Sequence, residues 1–329
     1  MQTKIHSQYY HPLTFNFVKA YLITMRPYLF FVSGMTGIVG LAYTLPKNLI
    51  STISIITASF LSYGFGQALT DCFQTDTDSI SSPYRPLTQG IVLKDHFLFV
   101  SIAGLIFCIT VFVIHNPINL ILGTAAGLGL ATYTYFKRKF WAGPFYNAWI
   151  VAVLCIMAFL TGENSDVKNI NINFLLVLIS VFSGYANFVL SGYFKDIEAD
   201  KVTGYNTLPV IYGRRFAAYS SDMFALVMVS TGFVIMYLRI NEIGSVSSII
   251  PAIAFLSISL LIVFAAQLLL HKVKTDMEAH SAIALVVHSY ILQLSGLALL
   301  QQSNLLVFLI LFYIGFNLVM KFRPEKSQI

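Results

Sequence analysis

Ten stretches of this chain, residues 28–45, 49–69, 97–114, 117–136, 145–161, 173–193, 216–238, 248–270, 281–300 and 304–320, are almost free of charge. Each runs close to the roughly 20 apolar residues that an α-helix needs to cross a bilayer. Inside hydrocarbon every backbone N–H and C=O must be satisfied within the protein, so continuous apolar runs of this length leave the helix as the spanning element. A membrane β-barrel would instead alternate apolar and polar residues. Only 10% of the 329 residues are charged, against about 25% in a soluble domain. The fold class that follows is all-α: a polytopic bundle of nine to ten transmembrane helices around a central cavity.

The loops between these runs divide sharply by charge. Seventeen of the 20 Lys and Arg fall in one set of segments, and only Lys47, Lys168 and Arg239 fall in the other. Positive residues stay on the cytoplasmic side. Both termini and the loops at 70–96, 137–144, 194–215 and 271–280 are therefore expected there, and the cavity is expected to open toward that side. Merging the last two runs would give nine helices and weaken the bias. The net charge of +6 is this loop asymmetry and does not point to nucleic acid. Residues 1–17 lack the short apolar core and small-residue cleavage site of a secretory signal. Cys72, Cys108 and Cys155 lack metal-type spacing and read as small buried hydrophobes. No linker divides residues 1–329, which read as a single transmembrane domain.

Two acidic clusters interrupt this apolar chain on the same face. In "SGYFKDIEADKVTGYNTLP" (191–209), Asp196 and Asp200 share one helical face at i,i+4. Two such carboxylates repel unless a cation joins them, and Mg²⁺ uses one or two carboxylates together with phosphate oxygens and water. Lys195 and Lys201 beside them suit phosphate oxygens. A solvated loop is the ordinary reading of mixed charge, and the second cluster on the same face argues against it. In "TDCFQTDTDSISSPYRPLTQG" (70–90), a helix continuing past residue 69 would bring Asp71 and Asp78 within about 20° of each other. Thr70 and Gln74 line neighbouring positions and Asp76 points elsewhere. Ser81-Ser82-Pro83 should stop that helix, and Arg85-Pro86 should turn a guanidinium back toward the acids. In "YTYFKRKF" (133–140), Tyr133 and Lys137 share a face. An interfacial aromatic and basic belt explains most of that stretch, and Lys137 is also placed to bind phosphate.

Together these residues resemble the UbiA superfamily of intramembrane prenyltransferases. "DIEADKVTGYNTLPVIYG" (196–213) is similar to that family's second aspartate-rich motif nearly throughout. "SSPYRPLTQG" (81–90) resembles the segment after its first motif, and "YTYFK" its Tyr-x-x-x-Lys element. The resemblance implies Mg²⁺ held by Asp71, Asp78, Asp196 and Asp200, an isoprenyl diphosphate and a hydrophobic acceptor, with the membrane lipid as surroundings. Thr70, Gln74, Arg85, Tyr133, Lys137, Tyr193, Lys195 and Lys201 are then the expected substrate-binding residues. The implied activity is transfer of the prenyl group to an aromatic or lipid-like acceptor, with cyclisation of the prenyl diphosphate as the alternative. The first motif departs from the pattern: its Asn-x-x-x-Asp-x-x-x-Asp falls on Thr70, Gln74 and Asp78, and Asp71 is expected to compensate for the neutral Gln74. A transporter is disfavoured, because the acids sit at helix ends rather than at a midplane break. His288 and Asn187, inside apolar runs, read as packed, hydrogen-bonded residues.

Overall fold

The computed structural model of the protein describes residues 9–44, 48–163, 165–243 and 246–323. Lys4, Lys47, Lys326 and both termini, which entered the charge argument, lie outside the described residues. Thirteen α-helices and no strand occur among them. They are α1 (Phe15–Met25), α2 (Phe30–Ala42), α3 (Leu49–Asp71), α4 (Thr75–Ser81), α5 (Lys94–His115), α6 (Asn119–Lys139), α7 (Gly143–Phe159), α8 (Ile172–Tyr193), α9 (Ile197–Val202), α10 (Leu208–Ile243), α11 (Ile250–Leu270), α12 (Ala279–Gln301) and α13 (Leu306–Lys321).

Each of the ten apolar runs coincides with a helix: α2, α3, α5 to α8 and α10 to α13. Among the described residues seven helices are long and apolar enough to cross a membrane, or eight when α1 and the segment Pro27–Ala42 count as one bent span. The fold is thus a polytopic transmembrane helical bundle. α8 and α12 form its buried centre. α12 packs against α2, α8 and α11, while α8 packs against α7 and α10. Polar ties cross this apolar packing at several points. Thr36 and Tyr290 share a hydroxyl–hydroxyl contact of 2.8 Å between α2 and α12. Asn187 on α8 accepts from Gln267 of α11 at 3.2 Å and from Ser221 of α10. His288 meets the Tyr313 hydroxyl at 2.8 Å. Both Asn187 and His288 are therefore packing residues, as their positions inside apolar runs suggest.

Three local departures shape the functional end of the bundle. First, α3 does not continue through the acidic stretch. It stops at Asp71, Gln74 leaves helical geometry (φ −117°, ψ 17°), and α4 begins anew at Thr75. Neither Gly nor Pro marks this break. Second, the segment 194–215 is not all loop: it holds α9 and the first turn of α10. Gly213, at φ 81° and ψ 162°, puts a kink in α10 that separates that turn from the long span. Third, the apolar α1 precedes α2 and meets the following segment at a bend of 42°. Arg26 makes that bend at φ 57°, ψ 70°, a left-handed conformation that costs an L-residue roughly 1–2 kcal/mol. It is the one positive-φ residue other than glycine among those described.

Candidate functional site

The ends of α3 and α8 are built alike. α3 ends at Asp71 and restarts as α4 after Gln74; α8 ends at Tyr193 and restarts as α9 after Asp196. Asp196 has φ −119° and ψ 8°, close to the values at Gln74. In both short helices the backbone N–H four residues on bonds back to the residue at the break: Asp78 to Gln74 at 2.9 Å and Asp200 to Asp196 at 2.7 Å. The two units touch where Thr77 of α4 donates to the Asp200 carboxylate at 3.2 Å.

Between them lies a polar cavity. Its lining includes Arg26, Gln67, Thr70, Asp71, Gln74, Asp78, Arg85, Tyr133, Lys137, Tyr193, Lys195 and Asp196. Eleven of the twelve sequence-expected residues thus meet here or, in the case of Asp200, directly behind. Lys201 is the exception. It follows Asp200 by one residue, which turns it about 100° around α9, and its side chain is exposed. Lys201 is therefore corrected from a substrate contact to a solvent-facing residue.

Charges in the cavity alternate. Arg26 donates to both oxygens of Asp71 at 3.1 and 2.9 Å, Gln67 donates to the same carboxylate at 2.6 Å, and Arg85 approaches it at 3.6 Å. Arg85 also pairs with Asp78. Asp71 and Asp78 come together through this shared guanidinium and not along one continuous helix. Asp71 is only 2% exposed, and its oxygens are engaged by cations and an amide, so it is the partner of two arginines rather than an open ligand standing in for Gln74. On the other side, Lys137 bridges Gln74 at 3.2 Å and Asp200 at 3.3 Å. It lies 5.1 Å from the ring centres of both Tyr193 and Tyr205. Asp200 is fully buried and also accepts from Thr207 at 3.3 Å. Tyr133 and Tyr193 join hydroxyls at 2.8 Å. Asp76 points out of the cavity, to Arg138 and to the Tyr205 hydroxyl at 3.2 Å.

Burial and pairing compete at these groups. Burial pushes the Asp78 carboxyl up to about 6 against the pull of Arg85. It also raises Asp200 against Lys137. At Asp196 burial acts in the same sense, but Lys195, Lys137 and Arg85 outweigh it and hold the carboxyl below its ordinary range. Burial lowers the Lys195 ammonium to about 8, although Asp196 opposes the shift. Burial works against the Arg85 charge too, and Asp78, Asp71 and Asp196 more than offset it.

Sequence reasoning missed Arg26. In the sequence it is one more basic residue flanking an apolar run, and Asp71 lies far from it along the chain. The dipeptide Arg26-Pro27 at the head of an apolar run was the available signal, as a proline there ends one helix and starts another. Asp276 was also missed. It accepts the backbone N–H of Glu198, in the first turn of α9, at 2.9 Å and Arg214 at 2.7 Å. The α11–α12 connection thereby pins the N-terminus of α9, next to Asp196.

The donor set can be tested against a hard dication. Among the described residues no group of three His, Cys, Asp or Glu gathers closely enough to hold a metal ion by itself. Mg²⁺, however, is usually bound through one or two carboxylates and completed by phosphates and water. Asp78 and Asp196 both face the cavity, and no ion pair engages Asp196 among the described residues. The oxygen donors present fit such a shared site.

An apolar chamber continues from the polar cavity. Tyr63, Gln67, Thr70, Asn147 and Tyr185 line both, and the chamber runs on between α3, α5, α6 and α7 past Leu105, Ile109, Phe112, Leu130, Ile150 and Met157.

The sequence model of the UbiA prenyltransferase family matches residues 29–284. A digeranylgeranylglyceryl phosphate synthase of Thermococcus kodakarensis is 28% identical over 218 residues, 65% of this chain and 76% of that protein. A synthase of the same name from Methanococcus aeolicus is 30% identical over 159 residues, 47% of this chain and 53% of its own. Among solved structures, the apo form of a UbiA homolog from Aeropyrum pernix K1 superposes with a TM-score of 0.67 at 16% identity, covering 81% of this chain and 95% of that one. A UbiA homolog from Archaeoglobus fulgidus bound to GPP and Mg²⁺ gives 0.60 at 19% identity, covering 84% and 99%. At these identities the structural likeness speaks for the fold alone.

Proposed function

The chain belongs to the UbiA prenyltransferase family and is a multi-pass, prenyl-transferring membrane enzyme; from that premise we propose that it ionises an isoprenyl diphosphate with the help of Mg²⁺ and passes the prenyl group to a lipid-like acceptor. One observation carries this reading: a cavity of alternating acids and bases opens directly into an apolar chamber. An amphiphile with a multiply charged head and a hydrocarbon tail is the ligand class that satisfies both at once. The named activity of the archaeal synthases supports an acceptor of lipid character.

Asp78 and Asp196 would hold the Mg²⁺, whose charge would stabilise the departing diphosphate. Arg85, Lys137, Lys195 and Arg26 face the same space and take up negative charge as the C–O bond lengthens. Asp71 and Asp200, behind them, hold these cations in place. The allylic cation left behind meets the faces of Tyr63, Tyr133, Tyr185 and Tyr193, which favour positive charge through the ring quadrupole. The apolar chamber keeps water from the cation, so the acceptor's nucleophilic atom forms the new bond and its proton is lost to the surroundings. The basic bias supports cytoplasmic placement of both termini and of the cavity mouth, which cysteine labelling of the intact protein checks.

The neutral Gln74 favours a second reading, in which a first unit poor in acid serves cyclisation of the prenyl chain on itself. One experiment separates the two. The purified protein is incubated with C10, C15 and C20 prenyl diphosphates and Mg²⁺, with and without a glyceryl-ether phosphate acceptor. Transfer is expected to release diphosphate and yield prenylated acceptor. A cyclic hydrocarbon formed without acceptor would favour cyclisation, and no diphosphate release under any condition would overturn both.

A further inference from the structure

The helix α1 is apolar on two faces. One is spent inside the protein: Phe17 and Tyr21 set their rings against Phe97 of α5, the Tyr21 hydroxyl meets Ser101 at 2.7 Å, and Met25 is buried beside Gly64 of α3. The other face carries Phe15, Val18 and Leu22 at i, i+3 and i+7, and all three are exposed, Phe15 by 80%. A helix apolar on both sides does not turn its second face to water. That face belongs at the boundary of headgroups and acyl chains.

Opposite it stands the end of α13. Val18 and Leu22 on one side and Val319 and Phe322 on the other wall a groove that is apolar apart from two cations, Lys19 and Arg323. Neither α1 nor α13 contains an acid. Among the described residues neither cation enters an ion pair. Arg323 spends one nitrogen on the Met320 carbonyl at 3.0 Å, while its Nε is buried with no partner among the described residues. Basic residues at helix ends ordinarily anchor a bundle at the interface. Here two of them share one groove, which favours an anion between them. A free phosphate would satisfy the cations and leave the walls bare, and an apolar peptide would do the reverse. A phosphate joined to hydrocarbon satisfies both.

We propose that the groove between α1 and α13 binds an anionic phospholipid, with the headgroup phosphate on Lys19 and Arg323 and an acyl chain along Val18, Leu22 and Phe322. The long stem of Lys19 lets its ammonium reach headgroup level from an apolar helix face. This groove shares no lining residue with the polar cavity, so the assignment does not depend on the reaction performed there. It touches the cavity indirectly. Pro27 and Tyr28 line the groove and directly follow Arg26, whose left-handed turn delivers its guanidinium to Asp71. A bound lipid braces that turn from outside and so stabilises the folded protein.

The test uses the purified protein in a neutral detergent. Its unfolding midpoint and its native mass are measured with added phosphatidylglycerol, with phosphatidylcholine of the same acyl chains, and with inorganic phosphate. Phosphatidylglycerol is expected to stay bound in the native mass and to raise the midpoint with concentration, as a ligand of the folded state does; the other two are not. Lys19→Gln and Arg323→Gln should each weaken the response roughly fivefold, the scale for one basic residue at an anionic surface. Lys19→Arg should restore it. Lys272→Gln, which removes an exposed charge on the same side at the end of α11, should leave it unchanged. An equal rise with phosphatidylcholine or with phosphate overturns the assignment, as does a loss in Lys272→Gln as large as in Lys19→Gln. A native mass of two chains without lipid, lost in Lys19→Gln, would give the groove to a second copy instead. If Arg323→Gln does not fold, the exposed Lys19 pair of variants decides alone.

Discussion

The two acidic units are the same local design with different counter-charges. In each, a long helix stops, one residue near φ −118° redirects the chain, and a short helix follows with an acid four residues on. The redirecting residue is Gln74 in the first unit and Asp196 in the second. In the first unit the acids answer to arginines, and Arg85 reaches both Asp71 and Asp78. In the second they answer to lysines, with Lys137 against Asp200 and Lys195 beside Asp196. Arginine presents a rigid, always charged fork, whereas lysine is a mobile point charge that gives up its position and proton more readily. The first unit thus holds Asp71 in a fixed frame of guanidinium groups, while Asp78 also faces the cavity. The second sets its carboxylates against ammonium groups, each a point charge on a flexible stem. A repeated motif need not repeat its job.

Variants can break this contrast. The largest effect is expected for Asp71→Ala, which leaves the buried Arg26 and Arg85 facing each other without their shared counter-ion. Losing one partner of a buried pair costs roughly 3–5 kcal/mol, so thermal unfolding in detergent should fall markedly. An unchanged midpoint would mean that the arginines do not need Asp71. Next is Asp196→Ala, with a loss of roughly 10²-fold in turnover, the scale for removing one electrostatic stabiliser. Its unfolding midpoint should stay near the wild-type value, because Asp196 lines the cavity and not the core. Near-normal diphosphate release would remove the second unit from catalysis, as would full activity in excess EDTA.

A milder change sharpens the comparison from the other side. Gln74→Asp makes the first unit acidic where the second already is, and added ligand charge tightens cation binding. The Mg²⁺ concentration for half-maximal rate should drop roughly tenfold; a rise would show that Lys137 needs a neutral partner at Gln74. The smallest effect belongs to Asp276→Asn, which keeps the shape of the tie to α9 and weakens its charge. A hydrogen bond is worth about 0.5–1.5 kcal/mol, so kcat should fall severalfold while thermal stability stays close to wild type. A variant that loses stability but not kcat would make Asp276 a structural residue only.

Much of this was legible because membrane burial writes itself into sequence. Ten apolar runs located ten helices, since each helix must satisfy its own backbone in hydrocarbon. The acids were legible too, being rare in so apolar a chain, although Asp71 and Asp78 do not share the continuous helix that their spacing suggests. The break after Asp71 was not. Cys72, Phe73 and Gln74 are all acceptable in a helix, and the chain turns there because tertiary partners hold Asp71 and Lys137 holds Gln74. Arg26 and Asp276 were hidden for a related reason. Each acts on an acidic unit from far away in the chain, one by a left-handed turn and one from a connecting loop, and neither carries a spacing signal.

The alternating chain of Arg26, Asp71, Arg85 and Asp78, with Lys137, Lys195, Asp196 and Asp200 beyond it, also fixes an electrical budget. Four anions face four cations, so the cavity without ligand is neutral, which is what allows so many ionisable groups to lie at the end of a membrane bundle. Neutrality makes entry selective. A bare diphosphate would leave several negative charges uncompensated in surroundings of low polarity, whereas the same head arriving with a divalent cation nearly cancels its own field. On the proposed function, metal and substrate would then enter as one package. Titration of prenyl diphosphate binding at fixed chelator should show it: affinity that does not weaken without the cation would contradict this charge balance.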